Sequence, residues 1–214
     1  MEELEVKKLR KKTLTVVLYE EGTKEANSHD DCFAEQADNP MVDMLLNYRP
    51  DFVTAEKNCM YSVDEQNVKM EEFKEFGVPL FRLGIPDNAR MYMEQEIDDM
   101  REEIRELKEE LERYLAQDPA NANTYKGQNM KSLIEFYEKE VDEKERYMNT
   151  EVKARWIVKQ MVDLANEVPG KEVTCIHVSS AYLFEELAKQ MDEAGFVVLP
   201  LKANVKMELD ELMY

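Results

Sequence analysis

Acidic, histidine and serine side chains follow three predicted strands of this sequence, at the positions where the strands end. They are Glu20, Glu21 and Glu25 after the first strand, Glu56 after the second, and His177, Ser179 and Ser180 at the end of the fourth. The carboxyl ends of parallel strands lie at one edge of a sheet, where ligands of open α/β folds bind. Carboxylates and an imidazole that converge there suit a divalent cation such as manganese or zinc. We therefore predict Glu25, Glu56 and His177 as metal ligands.

Each of these groups also has a structural interpretation, and for the carboxylates it is a solvated face, because acidic residues are so frequent in this chain. His177 lies inside the apolar stretch VTCIHV, so it is either a core histidine or a ligand whose tautomer a carboxylate fixes. Ser179 and Ser180 precede a predicted helix, where serine is a common N-cap, and the alternative is that they bind a phosphate or another cofactor group. The sequence contains no GxSxG, GxGxxG or GxxxxGK[ST] motif. A serine-hydrolase elbow and the common nucleotide-binding loops are therefore not indicated.

The charge of the chain limits the class of partner. The 214 residues carry 28 Lys and Arg against 47 Asp and Glu, a formal charge of -19, which repels nucleic acid and anionic lipid surfaces. No apolar run reaches the roughly 18 residues of a membrane span, and the first residues lack the apolar segment of a signal peptide. Cys32, Cys59 and Cys175 have no CxxC spacing. We predict a soluble cytoplasmic protein that binds neither nucleic acid nor membrane.

Short apolar runs alternate with helical patterns over most of the chain. Strands are predicted at residues 13–19, 51–56, 78–84, 173–178 and 196–201. Helices are predicted at residues 40–48, 62–76 and 181–194. This alternation predicts an α/β fold with a mostly parallel sheet of about five strands that is covered by helices.

A long helical insertion separates the third and fourth predicted strands. Apolar residues recur at alternating steps of three and four from Ile97 to Tyr114, which is a heptad seam on a strongly charged helix. The polar stretch QDPANANTYKGQN follows, and a second apolar stripe then runs from Leu133 to Val152. Two long helices joined by such a loop predict an antiparallel hairpin.

The hairpin divides the predicted domain organisation. We assign residues 87–167 to the hairpin, and residues 1–86 and 168–214 to the α/β domain. The hairpin either packs on its own chain or binds a protein partner or a second copy, as a homodimer. Further apolar surface for such a contact is offered by Met91, Met93, Phe136 and Trp156.

Three motifs outside the hairpin seam follow one another in a fixed order. The first strand ends in Gly22-Thr23-Lys24-Glu25, the second carries a PDxVxxE pattern at residues 50–56, and a helix with Arg155 precedes the last strand, helix and strand. This order resembles the TraB, ChaN and Tiki superfamily over most of the chain outside the hairpin. The resemblance implies a metal-dependent hydrolase that uses Glu25, Glu56 and His177, with Arg155 contacting an anionic group.

Two positions depart from the motifs of that superfamily. Its members have a histidine where this chain has Glu25, and a GxGH sequence that places their second histidine at Ser180. The group includes metal-dependent proteases, haem-binding lipoproteins and hydrolases, whose activities depend on the two histidines. We therefore predict a catalytically degenerate member that acts as a binding or interaction protein through the acidic hairpin. The alternative is a metal-dependent hydrolase with a carboxylate-rich site.

Overall fold

The computed structural model describes residues 9, 11–21, 40–57 and 76–202. Within them, strands β1 to β5 comprise Thr13–Glu21, Phe52–Glu56, Leu80–Leu83, Glu172–Ser180 and Val197–Lys202. Helices α1 to α5 comprise Pro40–Tyr48, Asp87–Gln117, Tyr125–Tyr147, Lys153–Glu167 and Ala181–Glu193. A 3₁₀ turn at Pro119–Asn123 connects α2 to α3, and a π-helical turn at Met148–Val152 connects α3 to α4. Within these residues, no helix combines the length and the apolar character that crossing a membrane requires.

The strands form one parallel sheet in the order β3-β2-β4-β1-β5. This confirms the predicted α/β fold with a parallel sheet of about five strands. The two longest strands, β1 and β4, lie at neighbouring positions inside the sheet and have near-continuous apolar sequences, as expected for strands that are buried on both faces. The predicted helix at residues 62–76 lies outside the described residues except for its last residue, and Glu25 also lies outside them.

Helices cover both faces of this sheet. Leu14, Val16 and Leu18 of β1 belong to one buried cluster with the apolar sides of α4 and α5. Val17, between them in the strand, belongs to a second buried cluster with Met44 of α1. Because successive side chains of a strand point to opposite faces, α4 and α5 lie on one face and α1 on the other. We call the first of these the α4/α5 face.

The chain forms two compact units. The sheet unit comprises Met1–Gly84 and Ala154–Tyr214, and the helical unit comprises Ile85–Lys153. α4 belongs to the sheet unit, because Ile157 and Met161 are fully buried in the same cluster as β1. The division of the chain predicted from the sequence, with the hairpin at residues 87–167, stays a prediction. The apolar stripe continues from α3 into α4 without a break, so the sequence does not mark where the helix changes its packing partner.

Within the helical unit, the apolar seam of α2 is turned away from solvent. Ile97 and Ile104 are buried, and α3 buries Met130, Ile134 and Val141. The side chains between these positions are mostly charged and exposed. The helices therefore follow the amphipathic pattern that the heptad spacing predicts.

Ion pairs join α2 to α3. They are Glu96 with Lys144, Arg101 with Glu145, Lys108 with Glu138, and Glu110 with Lys126. Residues early in α2 thus pair with residues late in α3, and residues late in α2 with residues earlier in α3, which is the order that antiparallel helices produce. Each side chain is at least about one third exposed, so each pair contributes only about 0–1 kcal/mol. Their main effect is to select one register of the two helices.

Side-chain hydrogen bonds hold the connection between α2 and α3. Asp118 accepts a hydrogen bond from the N–H of Ala120 at 2.9 Å, and Thr124 caps α3 by accepting one from the N–H of Gly127 at 3.1 Å. Gly127 is buried, and a Cβ atom there would lie 2.2 Å from the carbonyl oxygen of Asn121. This close approach of backbone to backbone requires glycine inside the first turn of the helix.

We expect the Gly127→Ala substitution to lower the free energy of unfolding by about 1–3 kcal/mol, because the methyl group must displace the backbone of the connection. Alanine has a higher helix propensity than glycine, by about 1 kcal/mol. A loss of stability would therefore mean that the steric overlap of the methyl group outweighs this gain in propensity. Urea unfolding followed by circular dichroism measures the change. Gln128→Ala, at the next and exposed helical position, is the control and should be neutral. A Gly127→Ala protein as stable as the control would contradict the close approach.

Cys175 of β4 provides a test of the sheet core. Its burial, together with the negative charge of Asp51, raises the pKa of the thiol far above its ordinary value. Because the thiolate is the reactive form, Cys175 should not react with Ellman's reagent in the folded protein at mildly alkaline pH. In a Cys32→Ser, Cys59→Ser background, labelling should follow the urea unfolding transition. Complete labelling before that transition would show that this strand opens without global unfolding.

Candidate functional site

β2 and β4 are neighbouring strands whose connections lead to opposite edges of the sheet. β2 is followed by β3 at one edge, whereas β4 is followed by β5, which lies at the other edge beyond β1. Ligands of open parallel sheets bind outside the carboxyl ends of two such strands. β2 ends at Glu56 and β4 at Ser180, so predicted site residues from both strands flank this switch point.

Glu56 is the centre of a polar cluster at that edge. Its side chain is 4% exposed, and its Oε1 accepts hydrogen bonds from the N–H of Ser180 at 2.8 Å and from the hydroxyls of Ser179 and Ser180 at 3.0 Å each. The Ser179 hydroxyl also lies 3.0 Å from the carbonyl oxygen of Ser180, and its single proton is donated to one of these acceptors at a time. We call Glu56, Ser179 and Ser180 the sheet-edge cluster.

The sheet-edge cluster stabilises the start of α5. Ser180 occupies the predicted N-cap position, but its hydroxyl does not cap the helix. Instead, its hydroxyl and its N–H both bind the carboxylate of Glu56, which places a negative charge near the positive end of the helix dipole. A buried carboxylate is tolerated only when such donors replace its lost hydration. The cluster therefore joins the end of β2 to the junction of β4 and α5.

His177 lies one layer further into the sheet than this cluster. It is fully buried and in register with Thr54 of β2, two residues before Glu56. Its Nδ1 lies 2.8 Å from the hydroxyl oxygen of Thr54, and the tautomer decides which of the two atoms donates. This contact involves one of the two ring nitrogens, and both interpretations of His177, as a core histidine and as a metal ligand, stay predictions.

Thr54 was not among the residues predicted from the sequence, although a signal for it exists. Side chains two positions apart in a strand lie on the same face, so Thr54 and Glu56 share the α4/α5 face with Phe52. The alternation of side chains along β2 therefore predicts that the Thr54 hydroxyl lies on the same face as the Glu56 carboxylate. Its pairing with His177 depends on the register of β2 against β4, which the local sequence does not contain.

The layer of the sheet-edge cluster continues across β1 and β5. Ser179 is in register with Glu20, and Glu20 with Lys202. The Nζ of Lys202 lies 3.9 Å from the Glu20 carboxylate and 2.8 Å from that of Glu185, and the hydrogen bond to Glu185 raises the pKa of the lysine. Lys202 and Glu185 are exposed, whereas Glu20 is partly buried, so the pairing of Lys202 with Glu185 contributes little to stability. The rim of the sheet beside the cluster thus carries two carboxylates and one lysine.

Of the other predicted site residues, Arg155 is exposed on α4, and Glu25 lies outside the described residues. In the described ranges, no group of three His, Cys, Asp or Glu side chains is arranged to hold a metal ion. The metal site of Glu25, Glu56 and His177 therefore stays a prediction.

A second candidate site lies on the outer side of α2. Asp99, Glu103 and Glu106 are exposed, follow one another at steps of four and three, and make no ion pair with any described residue. Tyr92, which is 79% exposed, precedes Asp99 by seven residues and so lies on the same side of the helix, about two turns away. We call these four residues the acidic face of α2.

Comparison with known proteins identifies no relative of this chain. No family model, curated protein or solved structure matches it. The likeness to the TraB, ChaN and Tiki superfamily therefore depends on the sequence motifs alone and stays a prediction.

We expect Glu56→Gln to lower the free energy of unfolding by about 1–3 kcal/mol, because hydrogen bonds to a charged acceptor are stronger than those to a neutral one. Urea unfolding measures the change. Glu185→Gln is the matched control, since its side chain is 79% exposed in α5, and its effect should stay below about 1 kcal/mol. Equal effects of the two substitutions would contradict a structural role for Glu56.

A double-mutant cycle isolates the contact between Glu56 and Ser179. Ser179→Ala should cost less stability in the Glu56→Ala protein than in the wild type, by about 1 kcal/mol, because the two side chains share one hydrogen bond that either substitution removes. Additive effects of the two substitutions would show that this hydrogen bond contributes nothing measurable.

Proposed function

We propose that this protein is a binding protein without catalytic activity of its own, and that the acidic face of α2 binds a basic region of a protein partner. The observation that carries the proposal is a set of three exposed carboxylates, without ion pairs to the described part of the chain, beside an exposed tyrosine. Carboxylates supply charge complementarity, and a tyrosine supplies an apolar anchor of the kind that is enriched at protein interfaces.

The charge of the helical unit supports a basic partner. Residues 85–153 contain 19 Asp and Glu against 11 Lys and Arg, an excess of eight negative charges. Long-range electrostatic forces accelerate the association of oppositely charged proteins and slow the association of proteins whose charges have the same sign. Lys or Arg side chains at alternating steps of four and three on a partner helix would meet the carboxylates of the acidic face.

The sheet-edge cluster supports a role without catalysis. Its donors converge on one oxygen of Glu56, and His177 is enclosed in the core, so groups that a hydrolase would use are engaged in holding the fold. The superfamily that the sequence resembles carries histidines where this chain has Glu25 and Ser180. We therefore propose a catalytically degenerate member of that group. A cytoplasmic location, which the charge and the cysteine pattern favour, belongs to the same proposal.

The alternative function is a metal-dependent hydrolase, and the position of Glu56 at the switch point favours it. Metal analysis discriminates between the two. The purified protein is incubated with manganese or zinc, freed of excess metal and measured by mass spectrometry, together with Glu56→Gln and Glu25→Gln. Stoichiometric metal that both variants lose would support the hydrolase. Equal, trace metal in all three proteins would support the binding protein.

We expect the triple substitution Asp99→Asn, Glu103→Gln, Glu106→Gln to weaken binding of a basic helix by about 10- to 100-fold, since each exposed charge pair contributes about 0.5–1 kcal/mol. The probe is a synthetic amphipathic helix with lysines at alternating steps of four and three, and fluorescence anisotropy at low ionic strength measures its affinity. The control is Glu140→Gln, Asp142→Asn, Glu143→Gln, which removes the same charge from α3. Equal losses in both variants would mean that only net charge matters, and would contradict a specific acidic face.

A further inference from the structure

One side of α3 is exposed and carries no charge. It consists of Tyr125, Gln128, Asn129, Ser132, Leu133 and Phe136, all of which are exposed. At 100° per residue these side chains lie within an arc of about 140° over about three turns of the helix. We call this surface the charge-free face of α3.

The charge-free face contrasts with the rest of the helical unit. Charged residues make up 35% of the chain, and the face is bounded by Lys126 and Glu135 at its sides and by Lys139 and Glu140 beyond its end. Tyr125 is 86% exposed, Phe136 60% and Leu133 36%. Large apolar side chains grouped on one uncharged side of a helix indicate a surface that becomes covered.

The order of residues along this face is complementary to the order along the same face of a second, antiparallel copy. When the helix is laid antiparallel on a copy of itself, centred between Met130 and Lys131, Tyr125 meets Phe136 of the copy. In the same register Asn129 meets Ser132 near the centre, and Leu133 lies on the same flank of the contact as Leu133 of the copy. Large side chains then pair at both ends, and small polar ones meet in the middle, where the two helices can approach most closely. A twofold axis perpendicular to the helix produces this arrangement, with each pair formed twice.

We propose that this protein self-associates as a twofold symmetric dimer through the charge-free face of α3, with the two α3 helices antiparallel. The inference goes beyond the proposed function, because it concerns a different helix from the acidic face of α2 and stands or fails separately.

The absence of charge on this face lets a second copy approach it. Two chains of charge -19 repel, so a contact between copies must avoid placing like charges together. In the proposed register no residue of the face meets a charge, because Lys126 and Glu135 lie on opposite flanks of the contact, at its edges. Lys126 lies 3.2 Å from Glu110, so its charge is paired within its own chain. Screening of the remaining repulsion over roughly 8 Å at physiological ionic strength should tighten the dimer as salt rises.

The size of the face sets the expected affinity. The twelve residues of helix from Tyr125 to Phe136 span about 16 Å, so the contact is smaller than the about 800 Å² per partner of a standard interface. A dissociation constant on the order of 10–100 µM is therefore expected.

Sedimentation equilibrium of the full chain tests the proposal. The mass should rise from 25.2 kDa towards twice that value over this concentration range. Phe136→Lys and Tyr125→Glu should each shift the protein to the monomer, because each removes one of the two aromatic side chains of the face and requires an unpaired charge to lose its hydration. The double variant Tyr125→Glu, Phe136→Lys should dimerise again, since the introduced carboxylate of each copy then meets the introduced ammonium group of the other. An equimolar mixture of the two single variants should form a heterodimer.

Tyr92→Glu is the control, because it removes an equally exposed aromatic side chain from α2 and should leave the dimer unchanged. Circular dichroism confirms that each variant is folded, which is expected because the substituted positions are exposed. A monomeric wild type at all these concentrations would overturn the proposal. So would a dimer that survives both single substitutions, or a double variant that remains monomeric while folded.

Discussion

The hydrogen bonds from Ser179 and Ser180 to the Glu56 carboxylate connect three elements of the sheet unit at one point. Glu56 is the only Asp, Glu, Lys or Arg of the described residues that is buried. Burying a carboxylate costs several kcal/mol unless donors replace its hydration, and here they come from the end of β4 and the start of α5. β2, β4 and α5 therefore adopt their positions together, and the switch point of the sheet is occupied by the protein's own side chains.

The two units use charge in opposite ways. The sheet unit encloses Glu56 and His177, where two hydroxyls and one backbone N–H bind the Glu56 carboxylate and the Thr54 hydroxyl lies against the Nδ1 of His177. The helical unit leaves nearly all its charges in solvent, where the ion pairs between α2 and α3 choose a register and contribute little energy. This arrangement leaves two exposed surfaces of different chemistry. One is acidic and suits a partner of opposite charge, and the other is uncharged and suits a copy of itself.

Local patterns in the sequence contain much of this fold. The apolar runs of β1 and β4, and the heptad spacing from Ile97 to Tyr114, predict the strands, the parallel sheet and the amphipathic α2 because each pattern extends over neighbouring residues. The order of the strands is not local information, since β2 and β4 pair across more than 100 residues. The sequence predicts that Glu56, Ser179 and Ser180 lie at one edge of the sheet. It does not predict that they bind one another, or that Thr54 contacts His177, because those contacts depend on the order and register of the strands.

The position of β1 in the sheet has a consequence for how the chain folds. β1 lies between β4 and β5, and Thr13 pairs with Glu172, 159 positions later. Pairing over such separations must first overcome the entropy of closing a long loop, and proteins rich in these contacts fold slowly. During synthesis on the ribosome, the apolar β1 leaves the exit tunnel long before its neighbours exist, whereas the contacts between α2 and α3 form over short separations. An exposed apolar strand is prone to aggregate in that interval. The yield of folded protein in a cell therefore depends on how well a chaperone, or rapid completion of the chain, protects residues 13–21 until β4 arrives.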